Sequence, residues 1–416
     1  MLRTVKLLAL VAMFVVALSA SAQVTTSALS GVVTDENHEA LIGATVTALH
    51  TPSGTKYNAV TNIDGRYTMR GMRPGGPYTV TVSYIGYQTR QVEDVTLQLA
   101  ETYDLSVDMS VGSNTLSEVV ITSEATKFRT EKTGAATNIN SAQISSLPTV
   151  TRSLTDVTRL SPYGGNGMSF AGTDGRLANF TVDGANFNNN FGLSDNLPGG
   201  GNPISIEAIE EMQVVISPYD VRQTNFIGGG VNAVTKSGTN TFRGSAYIFH
   251  RNENMRGDAV ERFQISSARE KDQVTTYGFT LGGPIWKDKL FFFVNGEMTK
   301  QPTIVNRWRA SENGVGNADA FISRTTLRDL ARVSEHVMGK YGYDTGSYTN
   351  FPADENNYKI LARLDWNISH DHHLSLRYNY TKNRYWSNPN ATSMDGGTRM
   401  ANARVSQYSF SFANSM

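Results

Sequence analysis

The sequence contains no cysteine, and this absence removes several classes of chemistry. Disulfide bonds, thiolate metal sites, a cysteine nucleophile and a lipid-modified N-terminal cysteine are all excluded. A charge excess is also missing, because 37 Lys and Arg residues balance 37 Asp and Glu residues, so nothing argues for nucleic-acid binding. Beyond the N-terminus no apolar run approaches the roughly 18 residues that a membrane helix needs. With 416 residues, the chain is too long for one ordinary domain.

The N-terminus has the organisation of an export signal. Arg3 and Lys6 precede an apolar run at 7–18, which is too short to span a membrane. Small residues follow at Ala20 and Ala22, the pattern of a cleavage site. The sequence therefore predicts a signal peptide over residues 1–22, with cleavage between Ala22 and Gln23. A cytosolic amphipathic helix is the alternative.

Residues 23–110 have the pattern of a small β-sandwich. Short β-prone runs at 28–34, 44–50 and 78–84 are separated by turn residues, and the Asp64-Gly65 pair predicts a hairpin turn. No zinc spacing of the H-x-x-E type is present in this part of the sequence. We therefore expect His38 and His50 to be surface residues.

The stretch 204–239 contains two apolar runs, 212–216 and 231–235, which predict two short buried strands. Between them lies a glycine triplet at 228–230, which lacks the Lys-Ser/Thr of a phosphate loop and is expected to allow tight turns. Before this stretch, residues 153–160 predict a capped helix, and the Asp183-Gly184 pair predicts a turn after a strand.

Residues 240–416 alternate apolar and polar side chains over about six segments of roughly ten residues, which is typical of a membrane β-barrel. The clearest apolar series is Tyr358, Ile360, Ala362, Leu364, Trp366 and Ile368. Long and short connections alternate between the segments, as barrels require. The pattern predicts Arg363, Asp365 and Arg377 in the lumen, with Trp286 and Trp366 near the short turns.

Two further features belong to this region. His370, His372 and His373 fall in a short turn and are interpreted as turn residues rather than metal ligands. Residues 323–341, inside the longest connection, predict an amphipathic helix. Because six strands cannot close a large barrel, we expect the chain to be an N-terminal fragment or a truncated product.

Five motifs stand out between residues 172 and 293: GTDGR at 172–176, FTVDG at 180–184, the 204–239 stretch, LGGPI at 281–285 and DKLFFF at 288–293. They resemble motifs of TonB-dependent outer-membrane transporters, and most of all those of the Oar-like branch. The motifs at 31–35, 42–46 and 64–67 resemble the carboxypeptidase-regulatory-like domain, which also precedes the plug in SusC-like importers. The resemblance implies a mainly β fold: a signal peptide (1–22), a β-sandwich (23–110), a TonB-box segment and linker (111–140), an α+β plug (141–239) and the first strands of an incomplete antiparallel transmembrane β-barrel (240–416).

The same resemblance implies two sets of site residues. The candidate TonB box, an extended peptide that pairs with a strand of TonB, consists of Glu118, Val119, Val120, Ile121 and Thr122. An ordinary last strand of the sandwich or first strand of the plug is the alternative for this segment. The candidate substrate-facing plug loop contains Asn186, Phe187, Asn188, Asn189, Asn190, Phe191, Asp195 and Asn196. Amides beside aromatics suit sugars or peptides, whereas a flexible loop with turn-forming Asn is the alternative.

The resemblance implies TonB-dependent active transport across the outer membrane, with the plug gating the barrel lumen. The implied partners are TonB and outer-membrane lipid, with a surface lipoprotein as a further candidate, and nucleic acid is not among them. We expect no catalytic residue, cofactor or metal site, and hence no enzyme. The sandwich is expected in the periplasm. The alternative function is a barrel for adhesion or protein secretion that binds ligands through its surface loops.

Overall fold

The computed structural model describes residues 24–111, 119–122, 135–147, 149, 151–165, 167–188, 197, 202–217, 223, 226–255, 257, 259–260, 263–264, 273–302, 309–317, 322–346, 355–369, 372–387 and 401–415. The fold is mainly β, with two packed sheets at the N-terminus, a middle domain and a six-stranded antiparallel sheet. Within these residues no helix is both long and apolar enough to cross a membrane.

The N-terminal unit, called the sandwich, is built from two sheets. The first sheet has the order β4-β1-β7, with β8 also paired to β1, and the second has the order β3-β2-β5-β6-β9. The strands are β1 (Ser27–Asp35), β2 (Thr45–His50), β3 (Thr55–Val60), β4 (Arg66–Met72), β5 (Gly75–Ser83), β6 (Arg90–Leu97), β7 (Thr102–Asp104), β8 (Val107–Met109) and β9 (Val119–Thr122).

Alternating burial along the strands creates the sandwich core. Strand β1 alternates buried and half-buried positions along its whole length, and Tyr78, Val80 and Val82 of β5 are fully buried. Because successive side chains on a strand point to opposite faces, this alternation places one face of each sheet in the interior. The predicted sandwich is confirmed.

The predicted hairpin at Asp64-Gly65 is wrong. A tight turn is present, since the Asn62 side chain accepts hydrogen bonds from the backbone N–H groups of Asp64 and Arg66. The strands on either side, however, belong to different sheets, because β3 pairs with β2 and β4 pairs with β1. The turn therefore carries the chain from one layer of the sandwich to the other.

His50 is buried, contrary to the expectation of a surface residue, whereas His38 is exposed as predicted. The His50 ring packs against Tyr78 with 4.9 Å between ring centroids, and its Nδ1 lies 2.6 Å from Ser53 Oγ. Burial lowers the pKa of His50 to about 3, and the positive charge of Arg73 adds to this effect. The histidine is therefore a neutral packing residue.

The middle domain, which here means residues 135–239, contains one five-stranded sheet in the order β10-β13-β14-β11-β12. Its strands are β10 (Ala135–Asn140), β11 (Asn179–Val182), β12 (Ala185–Asn186), β13 (Ile209–Ser217) and β14 (Gly230–Thr235). Two short helices, α1 (Ser141–Ser146) and α2 (Leu154–Thr158), and the 3-10 turns Gly175–Leu177 and Ile206–Ala208 complete it. The predicted strands, the helix near 153–160 and the Asp183-Gly184 turn are confirmed.

The glycine triplet has a different role from the predicted turns. None of the three glycines has a positive φ angle. A Cβ atom on Gly229 would lie 2.7 Å from the ring of Phe170, and one on Gly230 would lie 2.8 Å from the ring of Phe226. Gly229 and Gly230 are glycine because the backbone passes directly against these aromatic rings, and a Cβ atom on Gly228 would lie 2.1 Å from the Thr173 hydroxyl.

The six-stranded sheet has the order β15-β18-β19-β22-β23-β24, and every neighbouring pair is antiparallel. The strands β15 and β24 at its two ends do not pair with each other. The six strands are β15 (Arg243–Arg251), β18 (Val274–Trp286), β19 (Leu290–Gln301), β22 (Glu355–Asn367), β23 (His373–Ser387) and β24 (Ala401–Ser415).

The two faces of this sheet have reversed polarity compared with a water-soluble protein. Ile360, Leu364 and Trp366 of β22 are between 39% and 47% exposed, whereas Lys359 and Arg363 of the same strand are 5% exposed. The polar face, called the inner face, is covered by the middle domain. The outer face carries the apolar side chains, as the alternation predicts for strands that meet lipid.

The long connections carry elements of their own. These are strands β16 (Ala259–Val260), β17 (Phe263–Gln264), β20 (Arg309–Ser311) and β21 (Ile322–Thr326), the 3-10 turn Glu253–Met255 and helix α3 (Leu327–Tyr341). The predicted start of the helix at 323 is wrong, because residues up to Thr326 are extended and Thr326 caps the helix, accepting a hydrogen bond from the backbone N–H of Asp329. His372 is exposed beside the short turn and His373 begins β23, while His370 lies outside the described residues.

Candidate functional site

The middle domain meets the inner face of the six-stranded sheet through a buried ionic cluster. Asp183, in the turn after β11, accepts hydrogen bonds from the backbone N–H of Thr235 at 3.0 Å and from its hydroxyl at 2.6 Å. Arg363 of β22 donates from Nη1 to the backbone oxygen of Thr235 at 2.6 Å and lies 3.8 Å from Asp183. The end of strand β14 is therefore held from two sides.

Two more side chains of the inner face complete the cluster. Asp365 accepts two hydrogen bonds from the Arg363 guanidinium, at 2.8 and 3.0 Å, in a fork geometry that fixes the orientation of the arginine. Arg377 of β23 lies 3.5 Å from Asp183. All four charged groups are buried, so the removal of one partner would leave an uncompensated charge in the interior.

The sandwich reaches the same cluster through Arg73. Its Nη1 donates to the hydroxyl of Ser237 at 2.8 Å, and its Nη2 lies 3.8 Å from Asp365. Ser237 lies two residues after β14, in the segment that leads to the six-stranded sheet. The sandwich, the middle domain and the inner face thus share one network of charges.

The sandwich also contacts the short-turn edge of the sheet. Asn367, at the end of β22, donates to the hydroxyl of Thr55 at 2.9 Å. The rings of Tyr57 and His373 lie 5.5 Å apart, and the backbone N–H of Asn240 donates to the carbonyl oxygen of Pro52 at 2.8 Å. These contacts place the β2–β3 connection against the ends of the strands.

A second contact lies further along the inner face, toward the long connections. Glu297 of β19 accepts hydrogen bonds from Ser205 of the middle domain at 2.7 Å, from Tyr247 at 2.9 Å and from Lys359 at 2.8 Å. The carboxylate is therefore fully engaged by one middle-domain donor and two donors from the sheet.

A polar cavity of about 650 Å³ opens beyond this second contact, between residues 149–159 of the middle domain and the inner face. Arg152, in a left-handed conformation with φ 49°, forms an ion pair with Glu207 and stacks 3.8 Å above the ring centroid of Phe249. Other lining residues include Thr155, Asn202, Thr276 and Gln301. Hydroxyl, amide and charged groups beside one aromatic ring give a lining suited to a polar ligand.

The candidate TonB box forms an edge strand in the structure. Residues Val119–Thr122 are strand β9, which pairs in parallel with β6 of the sandwich, and Glu118 lies outside the described residues. The backbone thus corresponds to the alternative of a last sandwich strand. The coupling role of the segment stays a prediction.

Three residues of the candidate plug loop are described, and they stabilise the middle domain itself. Phe187 is 1% exposed and packs edge-on against Phe180, with 6.4 Å between centroids. Asn188 accepts a hydrogen bond from the backbone N–H of Phe180 at 2.6 Å, and Asn186 accepts one from the backbone N–H of Asn188 at 2.7 Å. Asn189, Asn190, Phe191, Asp195 and Asn196 lie outside the described residues, so their contact with substrate stays a prediction.

Arg363, Asp365 and Arg377 lie on the face that the alternation predicts, but their partners could not be predicted from it. Asp183 was identified only as a turn residue, and Arg73 was not singled out. The one sequence feature that points to this cluster is the presence of several charged residues on the polar face of the alternating strands. Their partners lie 180 or more positions away in the case of Asp183, and a single sequence does not reveal such pairings.

Comparison with known families gives two domain matches. Residues 28–110 match the carboxypeptidase regulatory-like domain, and residues 234–311 match an outer membrane beta barrel domain. The TonB-dependent transporter Oar of Myxococcus xanthus is a homologue, 25% identical over 381 residues. The alignment covers 85% of this chain but only 33% of Oar, so the chain spans about a third of the length of that relative. Together with the apolar outer face, these matches place the chain in the outer membrane.

Solved structures resemble parts of the chain at low identity. The siderophore receptor PirA of Acinetobacter baumannii is 19% identical, with a TM-score of 0.40 over 61% of this chain and 32% of the receptor. The outer membrane transporter YddB of Escherichia coli is 12% identical, with a TM-score of 0.42 over 61% of this chain and 34% of YddB.

Proposed function

We propose that the chain acts in TonB-dependent transport across the outer membrane, with the middle domain as the plug and the six-stranded sheet as part of the barrel wall. The observation that carries the proposal is the charged inner face of the sheet, on which Arg363 and Arg377 bind the middle domain through Asp183. A wall that is apolar outside and polar inside suits a lipid-embedded barrel with a hydrophilic lumen. The homology to a TonB-dependent transporter supports the same function.

The orientation of the six-stranded sheet in the membrane is inferred from the lengths of its connections. The short connections after β18 and β22 begin at the edge that touches the sandwich, and barrels of this type have their short turns in the periplasm. The sandwich would therefore lie in the periplasm, where TonB acts. The cavity beside Arg152 would open toward the long outer connections, on the side from which a substrate enters.

Gating would consist of loosening the contacts between the middle domain and the inner face. Thr235 and Asp183 are held by a small number of buried, geometrically defined contacts. Such contacts are strong when intact and are lost together when the segment after β14 moves, because each depends on the same position of Thr235. A pull transmitted to the middle domain would therefore open a path without unfolding the wall.

The experiment compares four strains of the host: one without the gene, one lacking residues 118–122 of the protein, one lacking residues 126–130, and the wild type. We expect the 118–122 deletion to reproduce the growth defect of the strain without the gene on nutrients that require uptake, while surface adhesion is retained. A deletion of residues 126–130 has the same length, keeps 118–122, and should behave like the wild type.

The competing function would give the opposite pattern. If the 118–122 deletion grows like the wild type where the strain without the gene does not, TonB-driven transport is excluded. Loss of adhesion or of secretion in the strain without the gene, but not in the 118–122 deletion, would instead support a surface-binding barrel. Co-purification of a surface lipoprotein with the wild-type protein would add a nutrient-import partner.

A further inference from the structure

Residues 98–101 form the turn between β6 and β7, here called the Leu99 turn, which lies against the sheet of the middle domain. The turn is preformed within the sandwich, because the carbonyl oxygen of Gln98 accepts hydrogen bonds from the backbone N–H of Glu101 at 3.2 Å and from the hydroxyl of Ser27 at 2.6 Å. Leu99 itself is fully buried. A structured turn of the sandwich is thus inserted into the contact with the middle domain.

Three side chains of the middle domain, here called the Leu99 socket, bind the backbone of Leu99. Its carbonyl oxygen accepts hydrogen bonds from the Asn138 side chain of β10 at 3.0 Å and from the Gln213 side chain of β13 at 2.9 Å. Its N–H donates to the carboxylate of Glu211, which lies two positions before Gln213 and so on the same face of β13. Both backbone groups of one sandwich residue are therefore satisfied by the middle domain.

Negative charges from both domains meet at the socket. Glu211 is 4% exposed, and the charged groups that face it are the carboxylates of Glu101, in the Leu99 turn, and of Glu210, next to it on β13. Burial is the main cause that raises the pKa of Glu211 to about 7. The two carboxylates add to this effect, whereas the hydrogen bonds from Leu99 and Asn138 act against it. The docked turn therefore favours a protonated Glu211.

We propose that the contact between the Leu99 turn and the Leu99 socket is a proton-dependent latch: a protonated Glu211 holds the turn, and loss of that proton releases it. Undocking exposes Glu211 to water and removes Glu101 from its side, so the pKa of the carboxyl group returns toward its ordinary value of 4.5. The docked state therefore holds a proton that the undocked state releases. Docking is strongest below pH 4.5, weakens as the pH rises to 7, and changes no further above that value.

The latch acts on the domain that the proposed function requires to move, and this consequence rests on that function. Strand β13, which carries Glu211, pairs with β14, and the end of β14 at Thr235 is bound by Arg363 of the six-stranded sheet. The docked turn is a second hold on the same sheet of the middle domain. Release of the turn removes this hold, so that a smaller pull displaces the middle domain.

Hydrogen exchange of the Leu99 amide tests the latch, because this N–H is bound to Glu211 only while the turn is docked. The full chain in detergent micelles is measured at pH 5 and pH 8, and the rates are corrected for the intrinsic rate. We expect the protection of the wild-type Leu99 amide to be lower at pH 8 by a factor on the order of 50. The amide of Val80, a fully buried residue of the sandwich, should lose no protection over the same change, since the latch opens without unfolding the sandwich.

Three variants assign the effect to its residues. In Glu211→Gln the side chain does not titrate and its oxygen still accepts from Leu99, so the protection at pH 5 and pH 8 should agree within about threefold. In Glu101→Gln one of the two neighbouring charges is absent, and the decrease should be smaller than in the wild type. Glu36→Gln changes an exposed glutamate of the sandwich and should decrease as the wild type does.

Equal protection of the wild-type Leu99 amide at the two pH values would overturn the latch, as would a decrease that persists in Glu211→Gln. A parallel loss of protection at Val80 would show unfolding of the sandwich in place of undocking, and would overturn it as well.

A single cysteine gives a second readout if Glu211→Gln folds poorly. The variant Leu99→Cys places one thiol in the contact, in a chain without other cysteines. Its alkylation rate is divided by that of Ile85→Cys, at a position that is 95% exposed, to remove the pH dependence of the thiol itself. We expect this ratio to rise about tenfold or more from pH 5 to pH 8, and a constant ratio would overturn the latch.

Failure of the proposed function is recognised separately. Exchange and alkylation need neither TonB nor a substrate, so they report the latch even if the 118–122 deletion grows like the wild type. Conversely, a chain that loses transport in that deletion but shows no pH-dependent docking would overturn the latch alone.

Discussion

Arg363 of the six-stranded sheet donates a hydrogen bond to the backbone oxygen of Thr235 in the middle domain at 2.6 Å. The two residues are 128 positions apart in the chain, yet both are buried and share Asp183 as a neighbour. This contact joins the end of strand β14 to the inner face and lies at the centre of the ionic cluster.

Replacing Arg363 by Ala should strongly destabilise the contact between the middle domain and the sheet. Asp183 and Asp365 would remain buried without their main cation, a change that typically costs about 3–5 kcal/mol. Limited proteolysis of the chain in micelles should cleave the middle domain much faster than in the wild type. Arg309→Ala removes an exposed arginine and should leave the cleavage rate unchanged.

The raised pKa of Glu211 predicts that the stability of the middle domain depends on pH. Burial is the main cause that raises its pKa to about 7, from an ordinary value of 4.5, and the neighbouring carboxylates of Glu101 and Glu210 add to it. The folded chain therefore holds a proton that the unfolded chain releases between these two values. The contribution of Glu211 to stability is therefore greatest below pH 4.5 and is lost as the pH rises to 7.

Calorimetric unfolding at pH 5 and pH 8 would measure this effect, with an expected loss on the order of 3 kcal/mol at the higher pH from Glu211 alone. The variant Glu211→Gln should lose most of that dependence, since its amide does not titrate. Glu36→Gln, at an exposed position, should keep it. An unchanged pH dependence in Glu211→Gln would show that another group titrates.

His50 gives the sandwich the opposite response to acid. Its pKa is lowered to about 3 by burial and by Arg73, so below pH 6.5 the unfolded chain takes up a proton that the folded chain does not. The contribution of His50 to the stability of the sandwich is full above pH 6.5 and falls by about 1.4 kcal/mol for each pH unit below that value, until the pKa of the folded state is reached.

Hydrogen exchange of the β2 and β5 amides at pH 7 and pH 5, corrected for the intrinsic rate, should report this loss in the wild type. His50→Gln should reduce it, and His38→Gln, which changes an exposed histidine, should not. Equal acid sensitivity in both variants would contradict the assignment to His50.

Two glycine substitutions test the packing of the glycine triplet. Gly229→Ala would place a Cβ atom 2.7 Å from the Phe170 ring, and such overpacking costs about 1–3 kcal/mol. Gly339→Ala, in helix α3 with open space around the new atom, should instead stabilise its helix by about 0.5–1 kcal/mol. Thermal unfolding followed by circular dichroism measures both, and equal effects would contradict the packing argument.

Much of the fold followed from local patterns. Alternation predicted the six long strands and the face on which Arg363 lies, because the side chains of a strand alternate by geometry wherever the strand is placed. The Asp183-Gly184 turn was predicted for the same reason, since the two residues tolerate the positive φ angles of a tight turn. Both patterns involve only residues that are close together in the chain, so the sequence is enough to recognise them.

Local patterns in the chain predict which residues form strands, which face of each strand is polar, and where the short and long connections fall. Long-range packing is needed to know that Asp64-Gly65 joins two sheets, that His50 is buried, that Val119–Thr122 pairs with β6, and that Arg73, Asp183 and Arg363 meet. The physical reason is that alternation and turn chemistry act between neighbours in the chain. Whether a charge is buried, or an edge strand is paired, depends on which distant segment packs against it. Many segments of this sequence have a local pattern that would allow such packing.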